Sequence, residues 1–505
     1  MRRIRVGILA LLAWLAVLTL AGTAGAARYV VVYDRQSVPA DAAERIDRAG
    51  GRVVAEYDGI GVVLANSSDD AFAARVARDS RVNAVSRDEP IAVVEPGEEL
   101  AAEGDLPNEP ATDADTFSPL QWNMRQIHAP EAHAITGGSP AVEVAVIDTG
   151  IEPTHPDLVS NLDPAKSTSC VAQPAPPAPP RNPAWLDDHG HGTHNAGTIA
   201  AASNGIGIVG VAPHVKIAAV KAGNSANQFF AAPVICAFEW VAQQRFDVAN
   251  ASFNVDGPVF SYCHTNRAQQ VLWKAVKRSV RHALRAGVTV VASAGNNNID
   301  ITNPDYDGDG DVDNECVRSP SELPGVITVA ATGIEDRKAS YSNYGMGYID
   351  VAAPGGDPAQ VLAPPPFNVA PINVVLSTWP ANIGPFATII CDPLGASRFP
   401  PFPPSPACPR EAPGTAYYRY MAGTSVSAAH VSGVAALVIS RFGDADTLQN
   451  GKMRPGQVEA IIEQSADPKP CPPDPTTCQG GEDYNSWYGH GRVNALSAVL
   501  HDTNG

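Results

Sequence analysis

Cysteine is missing from the first third of this 505-residue chain: all eight (Cys170, Cys236, Cys263, Cys316, Cys391, Cys408, Cys471 and Cys478) follow residue 169. Whatever residues 28–94 form must therefore fold without a disulfide. Basic residues are also scarce, 35 Lys and Arg against 53 Asp and Glu, which leaves a formal charge of −18. No basic run is longer than the one at residues 2–5. That excludes a nucleic-acid partner, because phosphate binding needs clustered cations to displace counterions. Beyond the N-terminal segment no stretch of 18 uninterrupted apolar residues occurs, so no membrane span is expected after it. Pro (45) and Gly (43) stay below the share that marks low-complexity disorder, and 44% of the residues are hydrophobic, enough for a packed core.

What is present begins with a targeting signature. Residues 1–26 run from Arg2, Arg3 and Arg5 through an apolar stretch at 6–20 to the small residues Ala24, Gly25 and Ala26. This order is that of a secretory signal peptide cut near Ala26 or Ala27. The expected location is extracellular, and an even number of cysteines on an exported chain reads as disulfides. Of the possible pairings only the short spans suggest themselves, Cys471 with Cys478 and Cys391 with Cys408.

Residues 28–94 read as a small α+β unit. Strands are expected at 29–33, 52–57 and 61–65, helices at 41–49 and 70–78, and a last strand at 82–85 or 91–94. The order β-α-β-β-α-β is the ferredoxin-like split unit. Residues 95–116 hold eight carboxylates (Glu95, Glu98, Glu99, Glu103, Asp105, Glu109, Asp113, Asp115) and no Lys or Arg. Such a segment is a self-repelling, solvated linker open to proteolysis. From 117 to 505 the apolar runs at 142–147, 215–221, 248–252, 288–293 and 326–330 alternate with helical stretches such as 233–244 and 267–286. Continuous apolar strands separated by helices predict an α/β domain, a parallel sheet with helices on both faces. Its ligand site belongs at the carboxyl ends of the strands. Pro-rich insertions interrupt the pattern at 174–183 and 358–413.

Three segments place reactive side chains at such ends. The strand at 142–147 runs into Asp148-Thr149-Gly150; His189-Gly190-His191-Gly192-Thr193-His194-Asn195-Ala196-Gly197 leads into a helix expected at 198–202; and Gly423-Thr424-Ser425-Val426-Ser427 opens a long apolar helix. A serine hydroxyl is a poor nucleophile until a base takes its proton. His191 suits that base, and Asp148 suits the group that fixes the imidazole tautomer and stabilises the imidazolium.

These three motifs, in the order Asp, His, Ser, resemble the active-site motifs of the subtilisin-like serine proteases. Ala294-Gly295-Asn296, at the end of another strand, adds a fourth match. The resemblance spans about residues 122–499. It implies a catalytic triad of Asp148, His191 and Ser425, with Asn296 as the side-chain donor of the oxyanion hole, and a substrate-receiving edge at Ser252, Phe253 and Asn254. It also implies that residues 28–94 are an inhibitory propeptide. Three positions depart from the family pattern: Asn254 where Gly is usual, Ala429 where Pro is usual, and Asn195 where Val is usual. The first leaves cleavage specificity open.

Two rival readings are weaker. His189, His191 and His194 could hold zinc, but no Glu stands where a metalloprotease base would, and the serine motif would go unexplained. A catalytically silent binding protein on the same fold would not need all four chemical positions filled. Asp305, Asp307, Asp309, Asp311 and Asp313, with Gly310 among them, have oxygen-ligand spacing for calcium, although Cys316 stands where an EF-hand has its bidentate Glu. The expectation is a monomeric, secreted serine endopeptidase made as a zymogen, inhibited by its own propeptide and acting on proteins or peptides. It needs no cofactor for catalysis; a structural calcium ion is the one expected metal.

Overall fold

A computed structural model describes residues 26–93, 114–171, 184–253, 262–263, 266–305, 311–314, 316–360, 373–381, 383, 389–392, 415–443, 452–473 and 477–501. The signal segment, most of the acidic linker, both Pro-rich insertions for the most part, Asn254, Asp307, Asp309 and the proposed Cys391–Cys408 bridge lie outside the described residues or side chains.

The apolar runs do pair into one parallel sheet. Its seven strands lie in the order Val351–Pro354, Val326–Thr332, Thr289–Ser293, Val248–Ala251, Glu143–Asp148, Lys216–Lys221, Thr168–Ser169. Period-two alternation sends Val144 and Val146 into a core shared with the helices His191–Ala200 and Thr424–Phe442. Ala145 and Ile147 enter a second core, shared with the helices Ala231–Gln244 and Arg267–Arg285. Burial on both faces is why these strands read as unbroken hydrophobic sequence. Chain order reverses direction at Glu143–Asp148: later strands add first on its Lys216–Lys221 side and then on its Val248–Ala251 side. That switch point, at the strands' carboxyl ends, is where an open α/β sheet forms a crevice.

The first unit is a four-stranded antiparallel sheet in the order Arg52–Tyr57, Val62–Ser67, Ala27–Tyr33, Val82–Arg87. One face, with Tyr29, Val31 and Tyr33, packs on Ile46 and Phe72 of the unit's own helices, Ala42–Arg48 and Phe72–Val76. The other face, with Val30, Val32 and Leu64, joins the core of the helices Ala231–Gln244 and Arg267–Arg285. Arg278 fastens this contact, its Nη1 donating to Tyr33 O and Ile60 O at 3.0 Å each. Both proposed last strands exist, with different partners. Val82–Arg87 completes the unit's sheet, whereas Pro90–Val93 pairs antiparallel with Gln228–Phe230 of the large domain.

Three details differ from the sequence reading. The His motif is helical from His191 rather than from 198. Asp115 belongs to no solvated linker: it is 4% exposed and accepts the N–H groups of Asn204 and Gly205 at 3.0 Å each. A three-stranded antiparallel sheet, Val375–Thr378, Ala416–Met421 and Ile389–Asp392, carries part of the second Pro-rich region. The Cys471–Cys478 bridge is present as expected, and Cys170–Cys236 ties the Thr168–Ser169 edge to the helix Ala231–Gln244.

Candidate active site

Asp148 ends the strand Glu143–Asp148 at the switch point, fully buried. Its carboxylate accepts the Thr149 N–H at 2.7 Å, the His191 Nδ1–H at 2.7 and 2.9 Å, and the Asn195 Nδ2–H at 3.0 Å. Burial pushes its pKa up, but the facing His191 charge and these hydrogen bonds outweigh burial and hold it below the ordinary carboxylate value. The carboxylate is thus an acceptor on which the imidazole tautomer is fixed. His191 Nε2, on the far side of the ring, is buried and without a hydrogen-bond partner among the described residues.

His191 opens its helix because the preceding loop is pinned. Asp187, which sequence reasoning passed over, accepts five hydrogen bonds: from Thr149 Oγ1 (2.9 Å), His189 N (3.0 Å), Gly190 N (2.8 Å), Thr193 N (2.9 Å) and Thr193 Oγ1 (2.6 Å). Gly190, at φ +106°, makes the turn into the helix, and a Cβ there would lie 2.3 Å from the Trp379 ring. Lys221 Nζ bonds Thr149 O and reaches Asp188 at 2.6 Å.

Ser425 stands in the first turn of the helix Thr424–Phe442, which packs on the helix His191–Ala200. A hydrogen-bond chain anchors it to the sheet: Ser252 Oγ donates to Ser425 O at 2.8 Å, Asn250 Nδ2 to Ser252 Oγ at 2.7 Å, and Ser432 Oγ to Asn250 Oδ1 at 2.9 Å. Asn296 Oδ1 accepts both the N–H (2.9 Å) and the hydroxyl (2.8 Å) of Thr424. This fixes the orientation of the amide, and both groups border the same small space: a Cβ on Gly423 would lie 3.7 Å from Asn296 Nδ2 and 3.0 Å from Ser425 Oγ.

The remaining expected residues fall elsewhere. The side chains of Ser252 and Phe253 are buried, the Phe253 ring stacking on Phe229 at 4.5 Å, so an incoming chain could meet this edge only through its backbone. Asp305, Asp311 and Asp313 are described, while the loop between Asp305 and Asp311 is not. The three histidines do not form a metal cluster among the described residues. His194 Nε2 faces Val375 O at 3.2 Å, and burial pulls its pKa down to about 3, which keeps it neutral. Away from the histidines, the described carboxylates that do converge are Asp350, Glu459 and Glu463, within 4.8 Å of one another.

A parallel sheet whose switch point carries a buried Asp–His pair, beside a helix that opens on Ser, is the subtilisin-like arrangement. The sequence profile of the subtilase family matches residues 139–491, and the chain belongs to that family. It is 33% identical over 238 residues to subtilisin Savinase of Lederbergia lenta, an alignment covering 47% of this chain and 72% of that protein. With the alkaline protease of Alkalihalobacillus alcalophilus the identity is also 33% over 238 residues, and the chain spans about half of that protein's length, 51%. The thermophilic serine proteinase of Bacillus sp. (strain AK1) is 28% identical over 386 residues, covering 76% of this chain and 68% of that protein. Among solved structures, the epidermin leader peptide processing serine protease of Staphylococcus aureus superposes with a TM-score of 0.65 at 20% identity, covering 95% and 100% of the two chains. Fervidolysin of Fervidobacterium pennivorans gives 0.64 at 22% identity, covering 94% of this chain and 61% of the other. At these identities the likeness of structures speaks for the fold.

Proposed function

We propose that this chain is a secreted serine endopeptidase made as a zymogen. The observation that carries the reading is His191, whose Nδ1 is held against both oxygens of a buried carboxylate while its Nε2 has no partner among the described residues. In the reaction Ser425 Oγ attacks the carbonyl carbon of the scissile bond and passes its proton to His191 Nε2; Asp148 stabilises the imidazolium. The tetrahedral oxyanion accepts hydrogen bonds from Asn296 Nδ2–H and the Ser425 backbone N–H, aided by the positive end of the helix Thr424–Phe442. Collapse breaks the C–N bond, and the leaving amine takes the proton from His191. Water then adds to the acyl-enzyme ester, gives its proton to His191 and releases the acid with Ser425 restored.

Export is supported by the charged, apolar and small order of residues 1–26 and by the disulfides. The inhibitory role of residues 28–94 is supported by their docking on the large domain, with the acidic linker as the site of self-cleavage. The product is proposed to act as a monomer on protein or peptide substrates. The acidic loop from Asp305 to Asp313 is proposed to hold a structural calcium ion, since crowded carboxylates repel one another without a cation; the ion takes no part in the chemistry.

The test is the full-length Ser425→Ala chain beside wild type. Wild type is expected to hydrolyse unfolded protein and shed its first unit. Ser425→Ala should lose activity by several orders of magnitude and stay unprocessed. A Ser425→Ala chain that matures alone, or a wild type that cleaves nothing, would refute the reading.

A further inference from the structure

Asn195 lies one helical turn after His191, on the same face, and is fully buried. Its Nδ2 is 3.0 Å from Asp148 Oδ2 and 3.3 Å from His191 Nδ1. The ring nitrogen spends its proton on Asp148, so it cannot also accept one from the amide. The amide N–H therefore goes to the carboxylate. The opposite orientation of the amide would set its oxygen against an anionic oxygen, so the chemistry itself fixes which end faces Asp148. The other end is left with nothing: Asn195 Oδ1 is buried and has no hydrogen-bond partner among the described residues.

A buried amide that makes its one productive bond to the triad and leaves its carbonyl unsatisfied is a poor device for stability. Valine, of similar bulk, would fill the site without burying an unpaired oxygen. Asp148 Oδ2 has no donor besides His191 and Asn195 among the described residues, whereas Oδ1 also has the Thr149 N–H. We propose that Asn195 is a positioning residue of this active site, a second-side clamp that holds the Asp148 carboxylate in the plane of the His191 ring and tempers its hold on the imidazole proton. The proposal rests on the triad assigned above.

Losing a donor to an anionic pair raises the proton affinity of the pair, whichever of its two members takes the proton. Asn195→Val is therefore expected to move the acid limb of kcat/KM to higher pH, by several tenths of a unit to about one unit. It should lower kcat about tenfold with little change in KM, because positioning acts on the chemical step. The other charged or titratable groups around the pair (His189, His194, His430, Asp187, Asp188 and Lys221) stay in place in this variant, so the shift belongs to the amide. Asn195→Asp, nearly the same shape, shares a proton with Asp148 and so keeps a donor there; it should retain more of kcat than Asn195→Val.

The experiment measures kcat/KM against pH for wild type and both variants, with thermal unfolding of each. In the Ser425→Ala background, the low-field proton resonance of the His191–Asp148 hydrogen bond is followed with and without Asn195→Val; this readout needs no turnover. Support is a shifted limb, a moved resonance and an unfolding temperature equal to or above that of wild type. An unchanged limb and resonance, or a fall in stability with the pH profile intact, would overturn the proposal by leaving Asn195 a packing residue. An inactive wild type would instead refute the triad reading, so the two failures are distinguishable.

Discussion

At the scale of single residues, the site is a set of side chains each held by a partner that does no chemistry. Asn296 shows how this works. Its Oδ1 is saturated by Thr424, so the amide cannot rotate and Nδ2 is presented with its orientation prepaid. Preorganised donors of this kind lose no free energy to reorientation as charge develops. Asn296→Ala is therefore expected to lower kcat by about 10²–10³-fold, the range for removing one oxyanion donor, with KM nearly unchanged. Steady-state kinetics on a peptide substrate checks this, and a loss confined to KM would mean that Asn296 binds substrate rather than the transition state. Most of these residues were legible in the sequence, because nucleophile, base, acid and donor each follow a recognisable strand or open a helix. Asp187 was not. An Asp-Asp pair beside a His-Gly run looks like a solvated loop, and only the fold shows that the first of the two collects five donors while the second faces Lys221.

At the scale of elements, legibility follows the balance between local propensity and burial. The central strands were readable because both faces are covered, and their residues are apolar throughout. The helix His191–Ala200 was readable only over its last three residues, since it was expected to begin at 198. Its first turns carry His, Gly, Thr and Asn, which are weak helix formers; burial of all ten residues imposes the helix instead. Its Gly192 is needed for packing, since a Cβ there would come within 2.1 Å of Gly150 O. The helix Thr424–Phe442 is long and apolar enough to cross a membrane by composition alone, yet 83% of its most apolar window is buried inside the molecule. The acidic loop is the element whose expectation is settled by measurement. Five Asp between residues 305 and 313 repel at neutral pH, and calcium should relieve that. The expected result is a rise of several degrees in unfolding temperature on adding calcium, lost in an Asp305→Asn, Asp311→Asn double variant; equal temperatures with calcium and with chelator would exclude the site.

At the scale of the whole molecule, the first unit and the large domain share one core, and their boundary contains ionisable groups that should make the attachment depend on pH. Asp88 follows the unit's last sheet strand and accepts the Ala232 N–H at 2.9 Å, at the start of the helix Ala231–Gln244. Burial pushes its pKa up to about 6, against smaller opposing effects from that N–H and from Arg28 at 3.9 Å. Glu239, whose charge acts on Tyr57 of the first unit and which is bonded to His282 Nδ1 at 3.0 Å, is also pushed up by burial. A released unit returns Asp88 to water and to an ordinary carboxylate pKa near 4. Between about pH 4 and 6 the docked state therefore binds more protons than the released one. Docking is strongest below that window and weakens as pH rises through it, by up to about 3 kcal/mol for Asp88. Asp41 and Asp79, whose pKa values are lowered first of all by hydrogen bonds from Arg81, act on the unit's own fold and not on this boundary. Hydrogen exchange at the strand pair of Pro90–Val93 with Gln228–Phe230 reports the attachment directly. In the Ser425→Ala chain, protection corrected for the intrinsic pH dependence of exchange should be greater at pH 4.5 than at pH 7. Asp88→Asn still accepts the Ala232 N–H but cannot ionise, so it should flatten that difference to the part due to Glu239. Protection that grew with pH would show that the ion pair with Arg28, and not the burial of Asp88, governs how the unit is held.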